Sequence, residues 1–554
     1  MTMKSRLRPL HSRLRSNALY DGIYTTVRPT ARPMLPEITE PVEKTPAKKA
    51  PAKKAPAKKP AAKKPAPAKP AALTAAQKAP LILQGKTDIV KTVMDAGEYP
   101  AATVVLDSML ADEKTGTKAV VWDLKAQLLL SQAKHEELLD FTTEMTATQN
   151  FPTGHYYAAQ SYFARGLYEP AMRHLQSLLL AEPNHADGVY LLCDLAQRTG
   201  RSEMARVELE RLALVSRRPK TWLVMANLVE TDADYLRMQS AWTVWTKTVM
   251  KNAYNKDARE YLALGAMRVG NYDLARDIWG KSLLAAGKRA GGFGKLNVRK
   301  PSYSSNRAET TLSDLNTTLR AAKIDMFLVS GTLLGCVREN KLLGHDKDID
   351  VGIWSDVTAE QFFDVIHKSG LFMILSSRSE HIIRLKHLSG IMVDIFFHYR
   401  DPDDYWHAGV KMKWSNTPFT LVEREFLGQT HLIPEDYDTY LTENYGDWRT
   451  PMIAFDSGFD TPNGTTLNED EMTIHAYKGL QNACISGTIG GPRIYLDDLI
   501  ARGEGAFVER FCAHVAEFDA PTAAILDKPQ EDPEADNLAI TPNVPAAEPE
   551  TPAG

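Results

Sequence analysis

Three aspartates stand at alternate positions in the stretch HDKDIDVGI, namely Asp346, Asp348 and Asp350. If this stretch is a β-strand, Asp348 and Asp350 point to the same side, about 7 Å apart, and the residues between them point into a core. Two carboxylates on one face suit an oxygen-preferring cation such as Mg²⁺. Acidic pairs are also common on solvated strands, so the spacing alone leaves both interpretations open.

Two further features favour a binding site. Ser330, Gly331 and Thr332 follow a short apolar stretch, and a turn of small residues lets backbone N–H groups approach a phosphate closely. Asp394 lies within the apolar run GIMVDIFFHY, where an unpaired buried carboxylate would be costly. We therefore expect Asp394 to be a third metal ligand. An ion pair with a basic side chain of the preceding segment HIIRLKHL is the alternative.

The motifs SGTLLG, VRE, HDKDIDVGI and VDIF, in this order, resemble the LicD/fukutin family of phosphotransferases, which belongs to the nucleotidyltransferase superfamily. The segment REFLGQTHLIPEDYDTYLTENYGDWRTP is similar to the end of the family's domain, so the resemblance covers about Asp325 to Pro451. It implies that a substituted phosphate, such as phosphocholine or a polyol phosphate, moves from a CDP-linked donor to a glycan hydroxyl. Lys347 departs from the consecutive acids of many members, which puts a second cation in doubt.

The resemblance also assigns roles to individual residues. Mg²⁺ or Mn²⁺ would neutralise charge on the leaving phosphate. The metal-binding and catalytic residues are expected to be Asp348, Asp350 and Asp394. The residues that contact the donor's phosphates are expected to be Ser330, Gly331, Thr332, Arg338 and Lys386. Asp394 could instead accept the proton of the attacking hydroxyl, and Arg338 could instead form a surface ion pair. Asp346 is given no role, and His345 is expected at the pocket rim.

Residues 77–290 have a helical pattern that repeats. The sequence GLYEPA, which begins at Gly166, recurs as GRSEMA from Gly200, 34 positions later, and related signatures begin at Gly97 and Gly270. This period, with small residues at fixed offsets, is typical of stacked helix pairs and resembles the tetratricopeptide repeat. We predict five or six helix pairs in a solenoid that binds a protein partner.

The remaining segments differ sharply in composition. The net charge of −3 conceals a basic start and an acidic end, and no core can form in the lysine-, alanine- and proline-rich stretch between residues 44 and 69. We predict a multidomain protein, in which an all-α tetratricopeptide-like solenoid precedes an α/β (α+β) nucleotidyltransferase-like domain, with disordered termini. Its parts are a basic segment (1–40), a lysine-rich linker (41–76), the helical repeats (77–290), a LicD-like domain (295–465), a helical extension (466–526) and an acidic tail (527–554).

Cellular location and partners follow from what the sequence contains. Four widely spaced cysteines give neither a zinc nor a disulfide pattern. An apolar run long enough to span a membrane and a secretory signal are both missing. We expect a cytoplasmic protein, with the inner face of the membrane as an alternative location. The linker lysines could make weak contacts with anionic surfaces, and a solvated tether is the alternative.

Three functions remain open at this stage. The first is a Mg²⁺-dependent phosphotransferase that modifies a cell-surface or secreted glycan, such as lipopolysaccharide. The second is a protein-binding scaffold whose transferase-like domain is catalytically silent. The third is a nucleotidyltransferase that acts on a small molecule or a protein. The complete set of Asp348, Asp350 and Asp394 favours the first.

Overall fold

The structure is a computed structural model that describes residues 75–250, 256–287, 304–344, 346, 348–452, 455–486 and 491–518. The basic N-terminal segment, the lysine-rich linker, the acidic tail, His345 and Lys347 lie outside the described residues. Among the helices that are described, none combines the length and the apolar composition that a membrane crossing requires.

Between residues 75 and 287 the described chain is entirely helical and forms six consecutive helix pairs. Each helix packs mainly against its neighbours in the chain, and the first helices of successive pairs also contact one another. The helices are α1 (Ala75–Asp95), α2 (Tyr99–Ala111), α3 (Ala119–Ser131), α4 (His135–Ala147), α5 (Thr153–Ala164), α6 (Tyr168–Ala181), α7 (Ala186–Thr199), α8 (Ser202–Ala213), α9 (Lys220–Asn227), α10 (Asp232–Thr248), α11 (Lys256–Arg268) and α12 (Tyr272–Gly287).

The repeated sequence signature has a direct structural counterpart. Its glycines lie between the two helices of a pair, with φ between +69° and +80°, a backbone conformation that glycine adopts at little cost; they are Gly97, Gly166, Gly200 and Gly270. Its alanines, five positions later, are fully buried where two helices approach closely: Ala102, Ala171, Ala205 and Ala275. The predicted helix pairs are therefore confirmed.

The second half combines helices with a mixed sheet. The helices are α13 (Ser305–Ala321), α14 (Ser330–Leu334, continued by a π-helical turn, Gly335–Glu339), α15 (Ala359–Ser369), α16 (Tyr437–Tyr445), α17 (Glu469–Ser486), α18 (Gly491–Ala501) and α19 (Gly505–Phe518). The strands are β1 (Met326–Leu328), β2 (Asp348–Trp354), β3 (Phe372–Leu375), β4 (Ile382–His387), β5 (Met392–Arg400), β6 (Tyr405–Ala408), β7 (Met412–Asn416), β8 (Leu421–Phe426), β9 (Gln429–Pro434) and β10 (Gly464–Thr466).

The described strands form one sheet in the order β10-β7-β6-β5-β2-β1-β9-β8, and β4 joins β3 to the start of β5. β2 runs parallel to β5 and antiparallel to β1. One face of the sheet is covered by an apolar core to which α13 contributes Leu312, Leu315 and Leu319, the three leucines predicted to share a helix face. The predicted fold class, an all-helical region followed by a mixed α and β domain, is confirmed.

The two halves share a hydrophobic core. The C-terminal helices α17 and α19 pack back onto α12, and the repeat core continues into Tyr477, Leu480 and Phe511. Met373 of β3 and Leu388, which follows β4, belong to the same core. The helical repeats therefore pack directly against the sheet domain through this shared core.

Candidate active site

The alternate aspartates form a cluster at the start of β2. Asp346, Asp348 and Asp350 each offer a carboxylate oxygen, and these oxygens lie within 4.8 Å of one another. On the opposite face of the strand Ile349 and Val351 are fully buried, as the alternation predicts. Sequence analysis assigned no role to Asp346, but the structure adds its carboxylate to the other two.

The cluster concentrates negative charge in a poorly solvated place. Burial raises the pKa of Asp350 well above its usual range, and the charges of Asp348, Asp346 and Asp394 raise it further. Burial, followed by the charge of Asp346, also raises the pKa of Asp348. Carboxylates held this close are stabilised by a proton or a cation between them. An all-oxygen donor set of this kind fits Mg²⁺ or Mn²⁺.

The turn formed by Ser330, Gly331 and Thr332 packs directly against this cluster. Ser330 follows β1 with φ +48°, which is unusual for a residue other than glycine. A Cβ on Gly331 would lie 2.2 Å from Oδ2 of Asp346, so only glycine allows the carboxylate to approach the backbone. Thr332 is buried, and its Oγ1 accepts a 2.9 Å hydrogen bond from the Asp350 N–H. Ser330 and Gly331 line the cleft, whereas Thr332 is not among its lining residues and holds β2 through this hydrogen bond. The phosphate contacts of these three residues stay predictions.

Asp394 lies one strand further along the same face. Asp394 belongs to β5. It pairs in register with Asp350 on the parallel strand β2 and with Arg384 on the antiparallel strand β4. Arg384 Nε donates a 3.1 Å hydrogen bond to Asp394 Oδ1, so the ion-pair alternative is present in the structure. Burial raises the pKa of Asp394, and Arg384 opposes this. Asp394 is not part of the three-oxygen cluster, and its roles as metal ligand or proton acceptor stay predictions.

The two predicted phosphate-binding cations occupy different surroundings. Arg338 lines the cleft, where its Nη1 donates to the backbone oxygen of Trp448 at 3.2 Å and its Nη2 to Glu339 at 3.1 Å. Its Nε is buried without a hydrogen-bond partner among the described residues. Lys386 does not line this cleft. Its charge instead faces the helical repeats, where Asp194 is a neighbour, because α7 lies against the end of the sheet that carries β3 and β4.

The cluster opens into a cleft of about 420 Å³, which we call the acidic cleft. Its far wall is aromatic: the rings of His407 and Trp414 stack with centroids 5.2 Å apart and an interplanar angle of 22°. Burial lowers the pKa of His407 well below its usual range, so the ring is neutral at pH 7. Tyr445 and Trp448 also line the cleft. Sequence reasoning missed His407 and Trp414, because only the pairing of β6 with β7 brings them opposite each other.

The mixed sheet therefore carries an Asp-x-Asp strand beside a turn of small residues. Residues 323–438 match the family described as LicD/FKTN/FKRP, nucleotidyltransferase domain.

Curated relatives carry the name ribitol-5-phosphate transferase FKTN. The protein of Mus musculus is 28% identical over 169 residues, which cover 28% of this chain and 36% of the relative. The protein of Homo sapiens is 27% identical over 156 residues, which cover 26% of this chain and 34% of the relative. The chain spans about a third of the length of the curated relatives it matches.

Proposed function

We propose that the protein is a phosphotransferase that moves a polyol phosphate or phosphocholine from a CDP-linked donor to a hydroxyl of a glycan. The observation that carries this proposal is the cluster of Asp346, Asp348 and Asp350 at the base of the acidic cleft, next to Gly331. The names of the FKTN relatives support the polyol phosphate as the group transferred.

The arrangement suits a donor that carries a diphosphate. Asp348 and Asp350, joined by Asp346, would hold Mg²⁺ or Mn²⁺, which supplies positive charge to the oxygens of the leaving phosphate. Ser330 and Gly331 offer a backbone turn beside the diphosphate, and Arg338 brings a cation to the same cleft. The stacked His407 and Trp414 offer an apolar wall for a planar or ring-shaped part of the substrate.

The transfer itself requires a base and a leaving group. The acceptor oxygen forms a bond to the phosphorus that carries the polyol, the bond from this phosphorus to the bridging oxygen breaks, and CMP departs. Asp394 accepts the hydroxyl proton in this scheme, since it lies in register with Asp350 on the same sheet face. Arg384 keeps this carboxylate oriented through its 3.1 Å hydrogen bond.

The test is release of CMP from CDP-ribitol, CDP-glycerol and CDP-choline by the full chain, with Mg²⁺, with Mn²⁺ and with chelator. Asp350→Asn should lower release by about 10²-fold or more, because it removes charge at the centre of the cluster. Asp364→Asn is the matched control, since Asp364 is exposed on α15 and pairs with Lys368 at the surface. Circular dichroism checks that both variants fold.

The product distinguishes the competing functions. CMP that stays attached to the acceptor would identify a nucleotidyltransferase that acts on a small molecule or a protein. The absence of CMP release from all three donors, together with the absence of cytidine nucleotide binding, would refute the proposal and favour a scaffold role. A protein partner of the helical repeats is a separate proposal, tested by capture with the full chain.

A further inference from the structure

Part of the lining of the acidic cleft comes from a segment that follows the family match. Phe455, Ser457 and Thr461 line the cleft, whereas the matched residues are 323–438. These three side chains supply an aromatic ring and two hydroxyls, and none of them carries a charge. We call residues 455–461 the wall segment. Its chemistry suits an uncharged part of a substrate better than a phosphate.

The wall segment is bonded to the aromatic wall of the same cleft. Nε1 of Trp414 donates a 3.1 Å hydrogen bond to Oγ1 of Thr461. Trp414 also ends a stack of three rings, in which the centroids of His398 and His407 are 4.5 Å apart and those of His407 and Trp414 are 5.2 Å apart. Because the indole N–H has Thr461 as its acceptor, the wall segment fixes how the last ring of the stack lies in the cleft.

The wall segment is held to the C-terminal helices through Asp456. Its carboxylate accepts hydrogen bonds from Nε2 of His475 on α17 at 2.8 Å and from the hydroxyl of Tyr495 on α18 at 2.9 Å. It also accepts from the N–H of Gly458 at 2.9 Å, within the segment itself. Burial alone would raise the pKa of Asp456, but the hydrogen bonds, first of all that from His475, hold it below its usual range. Asp456 is therefore an ionised acceptor shared by three donors.

His475 extends this connection to the hairpin that carries the aromatic wall. Nζ of Lys411, in the turn between β6 and β7, lies 3.0 Å from Nδ1 of His475. The ring of Phe459, in the wall segment, stacks on His475 with centroids 5.6 Å apart and an interplanar angle of 15°. Helix α17, which carries His475, packs against α12 of the repeats. We call Lys411, Asp456, His475 and Tyr495 the wall anchor, and none of them is among the lining residues of the described cleft.

We propose that the wall anchor positions Trp414 and the wall segment to bind the cytosine base of the donor, so that Asp456, His475 and Tyr495 act as positioning residues. A planar base that enters the cleft extends the ring stack that ends at Trp414. This proposal rests on the proposed function, because the CDP-linked donor supplies the base. It also gives the helical repeats an indirect part in donor binding, since α12 supports the helix that carries His475.

The test uses two ligands that share the diphosphate and differ in the nucleoside, CDP and methyl diphosphate, titrated into the full chain with Mn²⁺ by calorimetry. The wild-type chain should bind CDP about tenfold or more tightly than methyl diphosphate, as expected for one base stacked on an aromatic ring. Asp456→Ala should remove most of this preference, and Tyr495→Phe, which loses one hydrogen bond, should remove part of it. Asp498→Ala is the matched control, because Asp498 pairs with Arg502 and its side chain is 18% exposed, as is that of Asp456. This control should keep the full preference.

Metal affinity provides the second readout. Mn²⁺ affinity without nucleotide should stay within about twofold in Asp456→Ala, whereas its loss would show a general disruption and overturn the positioning role. Equal binding of the two ligands by the wild type, an unchanged preference in both anchor variants, or an equal loss in Asp498→Ala would also overturn it. Because ligand binding needs no turnover, a chain that shows the expected preferences but releases no CMP would retain the wall anchor and lose the proposed function. CMP release with an unchanged preference in the variants would refute the wall anchor alone.

Discussion

Asp194→Asn should stabilise the protein at neutral pH. Asp194 is partly buried between α7 and the sheet, and burial raises its pKa from 3.8 to about 6 although Lys220, Arg198 and Lys386 oppose the shift. The folded state therefore bears the cost of an incompletely compensated carboxylate at pH 7. Asparagine has nearly the same shape and no charge, so the substitution removes this cost.

The size of the effect follows from the pKa difference. A rise of about two pKa units corresponds to roughly 3 kcal/mol in the free energy of unfolding. Because the folded-state pKa lies above the unfolded-state value, the cost is absent well below pH 3.8, grows between pH 3.8 and about 6, and is fully present above that. For roughly 400 ordered residues, 3 kcal/mol corresponds to an increase in Tm of about 3 °C.

The assay compares the Tm of wild type and variant by scanning calorimetry at pH 8 and pH 5. The gain in the variant should be full at pH 8 and fall to about half at pH 5, where folded Asp194 is mostly protonated. Asp140→Asn, an exposed change on α4, should give no gain at either pH. A destabilised Asp194→Asn variant at pH 8 would show that Asp194 forms a favourable ion pair. A gain in Tm that does not depend on pH would show that the ionised carboxylate is not the source of the gain. Either result would refute this reasoning.

Two predictions test how the turn supports the cluster. Gly331→Ala should weaken Mn²⁺ binding by about tenfold or more, since the new Cβ would lie 2.2 Å from Asp346 Oδ2. Gly344→Ala, with nothing within 4 Å of its Cβ, should leave the titrated Mn²⁺ affinity unchanged; equal affinities in the two variants would exclude Asp346 from the site. Thr332→Val should cost about 1–3 kcal/mol in urea unfolding, because the Asp350 N–H loses its acceptor. An unchanged midpoint would mean that another acceptor takes its place.

The sequence predicted those features that depend on local spacing. The turn glycines and buried alanines of the repeats recur at fixed offsets because each helix pair must close in the same way, so the period alone revealed them. The alternation along β2 likewise placed Asp348 and Asp350 on one face and Ile349 in the core, since side chains of any strand alternate.

What the sequence could not show depends on contacts between distant segments. The pairing of β6 with β7 decided that His407 and Trp414 form one aromatic wall. The tertiary structure also places Asp346 beside Gly331 and within the acidic cluster. Thr332 braces β2, and Lys386 faces Asp194 rather than the acidic cleft. The sequence by itself determined the helix pairs, the acidic strand and the family resemblance, because each depends on residue types at short, fixed spacings along the chain. Only the tertiary structure decided which charges meet, because that depends on how the repeats and the sheet pack against each other.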